Sequence, residues 1–486
     1  MKAPRLLVSA AHKSSGKTTF SVGLCAALRA RGLAVQPFKK GPDYIDPMWL
    51  AQAAGRNCFN LDPYLSDGDE IAASFVTQAA GADISIIEGN KGLYDGLALD
   101  GSNSNAALAR MLGLPVLLVI DAQGMTRGIA PLILGYQAFD RHIRIAGVVL
   151  NKLGGSRHEA KLRAVIEHYT DVPVLGAMAC EPELTLTERH LGLMPHAEID
   201  DAAERVQTLG RRVAAQVDLQ RVIELARNAE ALPTARRTAR GQARERPAAV
   251  PERVRIGIAR DKAFGFYYPD DLAALRAAGA DLLPFDSLHD AHLPAVDGLF
   301  IGGGFPEVFM AELQANASLR SEIAAAIEAG LPAYAECGGL MYLARSLSWQ
   351  GRSCRMVGAI PADVTMHARP VGRGYVRLRP TEHHPWPAPV GPTASGELRA
   401  HEFHYSSLDN LEPGARFAYR VERGHGIDGC HDGLLHRNLL ASYAHLRNVG
   451  GVDWPARFVA FVRATRRPGK AGAARPESAR EAIAVL

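Results

Sequence analysis

The sequence predicts an α/β protein built from two domains. Three observations carry this. Short apolar runs alternate with helix-patterned segments from residue 5 to about 225, a stretch at 228–252 loses its large apolar residues, and a new strand pattern opens at 254. A chain of 486 residues also exceeds what one hydrophobic core usually organises.

In the first part the strand candidates are 5–10 (RLLVSA), 33–38 (LAVQPF), 83–88 (DISIIE), 115–120 (PVLLVI) and 143–150 (IRIAGVVL). Segments such as 18–31 and 156–169 between them place apolar residues at helical spacing. Buried strands separated by helices imply right-handed βαβ units and a parallel sheet covered on both faces. The segment 228–252, NAEALPTARRTARGQARERPAAVPE, offers one leucine and one valine as its large apolar residues and reads as a linker. VRIGIA (254–259) opens the second domain and PARFVAFVRA (455–464) reads as its last helix. The expected boundaries are 1–227, 228–252, 253–465 and a disordered tail at 466–486.

Composition narrows the function. Hydrophobic residues make up 47% and charged residues 22%, as in ordinary soluble proteins. A net charge of +4 argues against a dedicated nucleic-acid binder. The six cysteines show no paired spacing that would signal zinc or a disulfide framework. No apolar stretch reaches the length of a membrane span or a secretory leader. The expectation is a cytoplasmic protein with no membrane partner; a homodimer stays open.

RLLVSAAHKSSGKTT runs from strand through loop into helix, the context of a P-loop. Ser15, Gly16, Lys17, Thr18 and Thr19 supply backbone N–H groups, a lysine for phosphate charge and a hydroxyl for Mg²⁺. Ala11 stands where the pattern has its first glycine. Mg²⁺ takes hard oxygen ligands, and Asp43 (FKKGPDYID) and Glu88 (SIIEGNKGLYDG) fall at strand ends, where an open α/β sheet places its ligands. Asp95 is a further acidic residue in the second loop.

FKKGPDYIDP, EGNKGLYDG, LNKLGG and ERHLGLMP resemble the cobyrinic acid a,c-diamide synthase family. This half is more distantly similar to dethiobiotin synthetase and the MinD/ParA ATPases. The resemblance implies that ATP activates acetate side chains of a corrin ring. It places Lys17 and Thr18 on phosphates and Mg²⁺, Lys39, Asp43, Tyr44, Glu88 and Asp95 at nucleotide, metal and substrate positions, and Asn151 at the adenine. Phosphorylation gives an unreactive carboxylate a leaving group that ammonia can displace. Lys39, Lys40, Lys91, Arg127, Arg189 and His190 lie on or near these loops as cations for a polycarboxylate.

In the second domain, GLPAYAECGGLMYLA (330–344) reads as strand, Cys337, then Gly338-Gly339 opening a helix. That geometry exposes a nucleophile on a tight turn beside an oxyanion-binding N–H. GLFIGGGFPE (298–307) adds Gly303 and Gly304, whose backbone can approach glutamine closely. Together these resemble the class I glutamine amidotransferases of the cobyric acid synthase subgroup. The matching base is His445 in LLASYAHLRN, with His401 and His404 of AHEFHYSSL as rivals. The usual triad glutamate stands two residues after the histidine; here that position is Arg447. The subgroup also lacks that glutamate, which leaves open what orients the imidazole.

The combined expectation is an ATP- and glutamine-dependent ligase that amidates the a and c acetates of cobyrinic acid. Ammonia released from L-glutamine would need an internal passage, since in water it becomes ammonium. Departures at HKSSGKT, EGNKGLYDG, GSNSNAALA, GMTRG and MHARPVGRGYVRL keep sirohaem as an alternative substrate. A MinD/ParA-like switch with a vestigial glutaminase is the reading from another class.

Overall fold

The structure is a computed structural model that describes residues 3–180, 188–189, 192–232, 252–387 and 396–466. Most of the linker expected at 228–252, almost all of the expected tail, and the His190 position lie outside the described residues. The chain divides into two compact units, an N-terminal and a C-terminal one.

The N-terminal unit is a seven-stranded sheet: β1 (Arg5–Ala10), β2 (Val35–Lys40), β3 (Phe59–Leu61), β4 (Ile84–Glu88), β5 (Val116–Asp121), β6 (Ile145–Leu153) and β7 (Val174–Ala179). The order is β3-β2-β4-β1-β5-β6-β7, and every pairing is parallel. The central strands of this sheet are buried along almost their whole length, as in parallel sheets with both faces covered. Helix α1 (Lys17–Ala30) follows β1 and helix α2 (Ile45–Ala54) follows β2. Arg5 ties the unit together: its buried guanidinium donates to the carbonyls of Leu112 at 2.8 Å, Ala3 at 2.9 Å and Glu230 at 2.6 Å.

Strand β2 runs to Lys40, two residues past the apolar pattern. Lys39 and Lys40 are therefore buried strand residues and not loop cations. Periodicity misses them because carboxylates compensate the buried charge, which an apolar pattern cannot register. Strands β3 and β7 escape the pattern too.

The C-terminal unit has a nine-stranded sheet. From one edge it holds the strands 280–285, 254–259, 298–301, 333–336 and 439–442, all parallel. The strands 431–436, 416–423, 372–380 and 398–404 extend it antiparallel. Alternate residues enter two different cores: Leu299, Ile301, Ala333, Ala335, Leu439 and Ala441 on one face, Phe300, Tyr334 and Leu440 on the other. The antiparallel extension and a separate four-stranded sheet built on 344–349 go beyond the α/β pattern expected here. Among the described residues, no helix is long and apolar enough to cross a membrane, and all six cysteines are free thiols.

Asp432 anchors the chain that leaves the strand 439–442. Its buried carboxylate accepts from Ser442 Oγ at 2.7 Å and from the N–H groups of Tyr443 at 3.0 Å, Ala444 at 2.9 Å and Gly433 at 2.8 Å. Burial pushes this carboxyl above its ordinary range, and those donors oppose the shift. Replacing it by Ala would strand several buried donors at about 1–3 kcal/mol each. Asp432→Ala should therefore lower the thermal unfolding midpoint clearly, and Asp432→Asn should recover part of the loss, read by calorimetry on the full chain.

Candidate functional site

The first cluster assembles where β1, β2 and β4 end. After β1 the loop turns through Ser14 and Gly16, both at positive φ (67° and 80°), and delivers α1 with no side-chain cap. The first N–H groups of α1 are thus free to meet an anion, and the helix dipole favours negative charge there. Two braces hold the loop: Ser15 Oγ donates to the His12 carbonyl at 2.9 Å, and Asn151 Nδ2 donates to the Ser15 carbonyl at 2.9 Å. Asn151 lies inside β6 rather than at its end, and its contact is with the P-loop backbone. The position of Ala11 needs no positive φ, so the missing first glycine costs nothing; its carbonyl accepts from Tyr136 Oη at 2.6 Å.

Glu88 is the centre of this cluster. It is fully buried, and Oε1 accepts from Thr18 Oγ1 at 2.6 Å, Lys17 Nζ at 2.7 Å and Lys39 Nζ at 3.2 Å. Burial alone would push its carboxyl up, but Lys17, Lys39 and the Thr18 hydroxyl hold it down to about 2. Lys39 is pulled down by burial and pushed up more strongly by Asp46, Glu88 and Asp43. It is ion-paired with Asp46 and lies 3.8 Å from Asp43. Burial and Asp46 push Asp43 up to about 7, against the pull of Lys39. Asp46 also accepts from Thr18 Oγ1 at 3.3 Å and is a site residue the sequence reading missed. Its signal was its place in the first turn of α2, three residues after Asp43.

The other expected residues are spread more widely. Tyr44 caps α2 beside Asp43, and Thr19 lies half-buried in the first turn of α1. Asp95 is exposed and accepts from Gly92 N at 2.9 Å within its own loop. Lys40 is buried and lowered to about 8 by burial, which Asp62 opposes and Lys91 and Lys39 reinforce. Arg127 is exposed and stacks over Tyr169 at 5.1 Å. The GSNSNAALA segment braces its surroundings. Buried Asn105 donates to the carbonyls of Asn90 at 2.6 Å and Gly92 at 2.9 Å, and its Oδ1 accepts from Asn90 N at 3.1 Å.

Could this cluster hold Mg²⁺? Glu88 Oε2 is buried and has no hydrogen-bond partner among the described residues. Among those residues, no three acidic, histidine or cysteine side chains converge into a complete metal site. A cation here would complete its shell with phosphate oxygens and water, the usual habit of Mg²⁺. The donor set fits that ion.

The second cluster surrounds Cys337, between the strand Ala333–Glu336 and the helix Gly338–Leu343. Cys337 sits at φ 48°, ψ −102°, a strained conformation that turns the thiol off the sheet. Its N–H donates to the Ser442 carbonyl at 2.7 Å, and Sγ lies 3.9 Å from the Phe403 carbonyl. Burial pushes the thiol well above its ordinary range, with Glu307 adding to the shift and the Gly338 N–H opposing it. Burial thus favours the protonated form of this thiol.

Gly303, Gly304 and Gly338 are glycines because nothing larger fits. A Cβ on Gly304 would come within 1.9 Å of the Ala263 carbonyl oxygen, one on Gly338 within 2.9 Å of Gly304 N, and one on Gly303 within 2.8 Å of His445 Cε1. The glycine strand thus lies against both the Cys337 turn and the His445 imidazole. His445 N donates to the His401 carbonyl at 2.8 Å, and the two rings stack at 4.9 Å. Burial, then His445 and Arg447, push His401 well below its ordinary pKa, so it stays neutral. His404 stacks on Tyr443 at 3.8 Å, with Nδ1 2.8 Å from the Ser406 carbonyl. Of the three histidines, His445 is the one placed against the glycine strand. Arg447 turns away, ion-paired with Asp270 and 4.2 Å over the Tyr268 ring.

Comparison with known proteins covers both units. Residues 255–449 match the model of the CobB/CobQ-like glutamine amidotransferase domain, and residues 4–188 match an AAA domain. A protein named cobyrinate a,c-diamide synthase from Magnetococcus marinus is 48% identical over 95% of this chain and 97% of its own length. The protein of the same name from Methanosarcina acetivorans is 42% identical over 96% of this chain and 97% of its own. That from Listeria innocua is 38% identical over 91% and 96%.

The depressed Glu88 carboxyl has a consequence for acid stability. A group lowered from 4.5 to about 2 on folding stabilises the fold above pH 4.5 and loses that contribution as pH falls toward 2. The thermal midpoint should decline across that window, and Glu88→Gln should flatten the decline, measured by calorimetry as a function of pH.

Proposed function

Because the chain belongs to the cobyrinate a,c-diamide synthase family, we propose that it converts the a and c acetate carboxylates of cobyrinic acid into carboxamides, using ATP and L-glutamine. One observation carries the reading: two chemically distinct clusters, one around Lys17, Thr18 and Glu88 and one around Cys337 and His445, occur on a chain similar to such synthases over nearly its whole length.

In the C-terminal unit, His445 takes the thiol proton as Cys337 sulfur attacks the glutamine amide carbon. The backbone N–H groups of Gly304 and Gly338 receive the developing oxyanion. His445 then protonates the departing nitrogen, which leaves as ammonia, and water hydrolyses the γ-glutamyl thioester to glutamate. The base is necessary because burial keeps the thiol protonated.

In the N-terminal unit, the uncapped N-terminus of α1 and Lys17 bind the phosphates of ATP. Thr18, Glu88 and Asp43 would hold Mg²⁺, which would supply charge neutralisation for phosphoryl transfer. Lys17 and Lys39 share Glu88 in the structure described here, and arriving phosphates compete for both ammonium groups. A substrate carboxylate oxygen attacks the γ-phosphorus and ADP leaves; ammonia then attacks the acyl carbon and phosphate leaves. Lys39, inside the cluster, is set to meet the transferring phosphoryl group, and Tyr44, capping α2 beside Asp43, to orient the acetate arm; Asp95 holds the neighbouring loop in shape. All the reactants are water-soluble, and a cytoplasmic location suits them.

No observation favours sirohaem over cobyrinic acid. One of the departures that raised it, GSNSNAALA, carries the Asn105 that braces the β4 loop. A partner-binding switch would have no use for a thiol with its own base and glycine strand.

Cys337→Ala should abolish glutamine-dependent synthesis and leave synthesis from free ammonia, read by product formation at saturating ammonium. With cobyrinic acid, ATP, Mg²⁺ and glutamine, the product mass should fall by about one dalton per carboxyl converted, in two steps, as exchange of OH for NH₂ requires. Conversion of sirohaem and not cobyrinic acid would overturn the substrate.

A further inference from the structure

A catalytic imidazole needs one nitrogen fixed so that the other keeps a defined lone pair. The position two residues after His445 cannot supply this, since Arg447 is a cation committed to Asp270 and Tyr268. Glu336, the last residue of the strand that delivers Cys337, can. It is buried, at 2% exposure. Tyr334, two residues earlier and so on the same strand face, donates its hydroxyl to Glu336 Oε1 at 2.6 Å. The Leu446 N–H donates to the same oxygen at 3.0 Å. The second oxygen, Oε2, lies 3.4 Å from His445 Nδ1. One carboxylate thus addresses both the histidine ring and the main chain directly after it.

We infer that Glu336 is the positioning residue of the glutaminase, holding His445 through Nδ1 in the place of the carboxylate that other amidotransferases carry two residues after the histidine. This rests on the reading of Cys337 and His445 as nucleophile and base. With Nδ1–H donating to Glu336, Nε2 is the basic nitrogen. The Cys337 S–H proton moves to Nε2 as the S–C bond forms, and passes to the leaving nitrogen as the C–N bond breaks. The proton passes only between sulfur, Nε2 and the leaving nitrogen, and Glu336 positions the ring. The arrangement is economical in sequence: nucleophile and orienting carboxylate are neighbours on one strand, so the turn that aims the thiol also fixes the carboxylate beside it.

Three titratable groups among the described residues lie near His445. His401 stacks on it from the strand 398–404 and is kept neutral by burial. Arg447 follows it in the chain, and Glu336 approaches from the strand 333–336. Glu336 is the carboxylate among them, placed to stabilise the imidazolium that forms when His445 takes the thiol proton.

The test is the pH profile of glutamine hydrolysis by full-length Glu336→Gln. The variant should lose about 10²-fold or more in kcat with little change in glutamine KM. The acid limb of kcat/KM should move to lower pH, because the imidazolium has lost its counter-charge. A near wild-type rate with an unmoved acid limb would overturn the inference. So would loss of activity with an unmoved limb and a lowered thermal midpoint, which is the pattern of a purely structural residue. Should Glu336→Gln fail to fold, Glu336→Asp decides. A reduced kcat with the acid limb kept supports the role, and an undiminished kcat contradicts it, since the shorter side chain cannot reach Nδ1 equally well. Cys337→Ala run in parallel separates the two levels. Hydrolysis surviving in it removes the nucleophile reading, whereas hydrolysis lost in it but unchanged in Glu336→Gln removes only the role of Glu336.

Discussion

A carboxylate buried at the end of a parallel strand must be met by cations or hydrogen-bond donors, or it gives up its charge. Both clusters are built around that constraint. Glu88 closes β4 and gathers Lys17, Lys39 and Thr18 onto one oxygen. Glu336 closes the strand 333–336 and gathers Tyr334, Leu446 and the His445 ring. In each unit the carboxylate joins groups from elements far apart in the chain. Breaking such an arrangement by removing one partner costs about 3–5 kcal/mol in buried sites, so these glutamates tie function to stability.

The backbone does the rest of the positioning. Ser14 and Gly16 at positive φ bend the first loop so that α1 opens uncapped. Cys337 at φ 48° lifts the thiol from its strand, and the glycines at 303, 304 and 338 let three segments approach within the space of a single Cβ. Strain of this kind persists where surrounding packing imposes it. Here the packing is the two-faced core of the C-terminal sheet, with Ala335 buried on one face and Tyr334 on the other.

Much of this was legible in the sequence, for physical reasons. Buried parallel strands are continuous apolar runs, and β1, β4 and the strand 254–259 stand within one residue of where the pattern puts them. The P-loop and the Cys337 turn announce themselves because their residue types follow from backbone geometry. Residues whose role depends on distant partners did not. Lys39 and Lys40 look like loop cations until Asp46, Glu88 and Asp62 are seen around them. Asn105 resembles a variable loop residue until its bonds to Asn90 and Gly92 are seen. Glu336 was hidden in plain view beside Cys337, since the amidotransferase pattern directs attention to the position of Arg447 instead. The antiparallel half of the second sheet mostly pairs chain neighbours, such as 431–436 with 439–442, but strands such as 416–423 and 372–380 carry many exposed polar residues and lack a continuous apolar run.

The central claim is that ATP activates the substrate carboxylate by phosphorylating it. Cobyrinic acid carrying ¹⁸O in its acetate carboxylates tests this most directly, with the inorganic phosphate recovered and weighed. If a carboxylate oxygen attacks the γ-phosphorus and leaves with it when ammonia displaces phosphate, each amide formed transfers one ¹⁸O atom to phosphate. Phosphate free of label while amide accumulates would contradict the account.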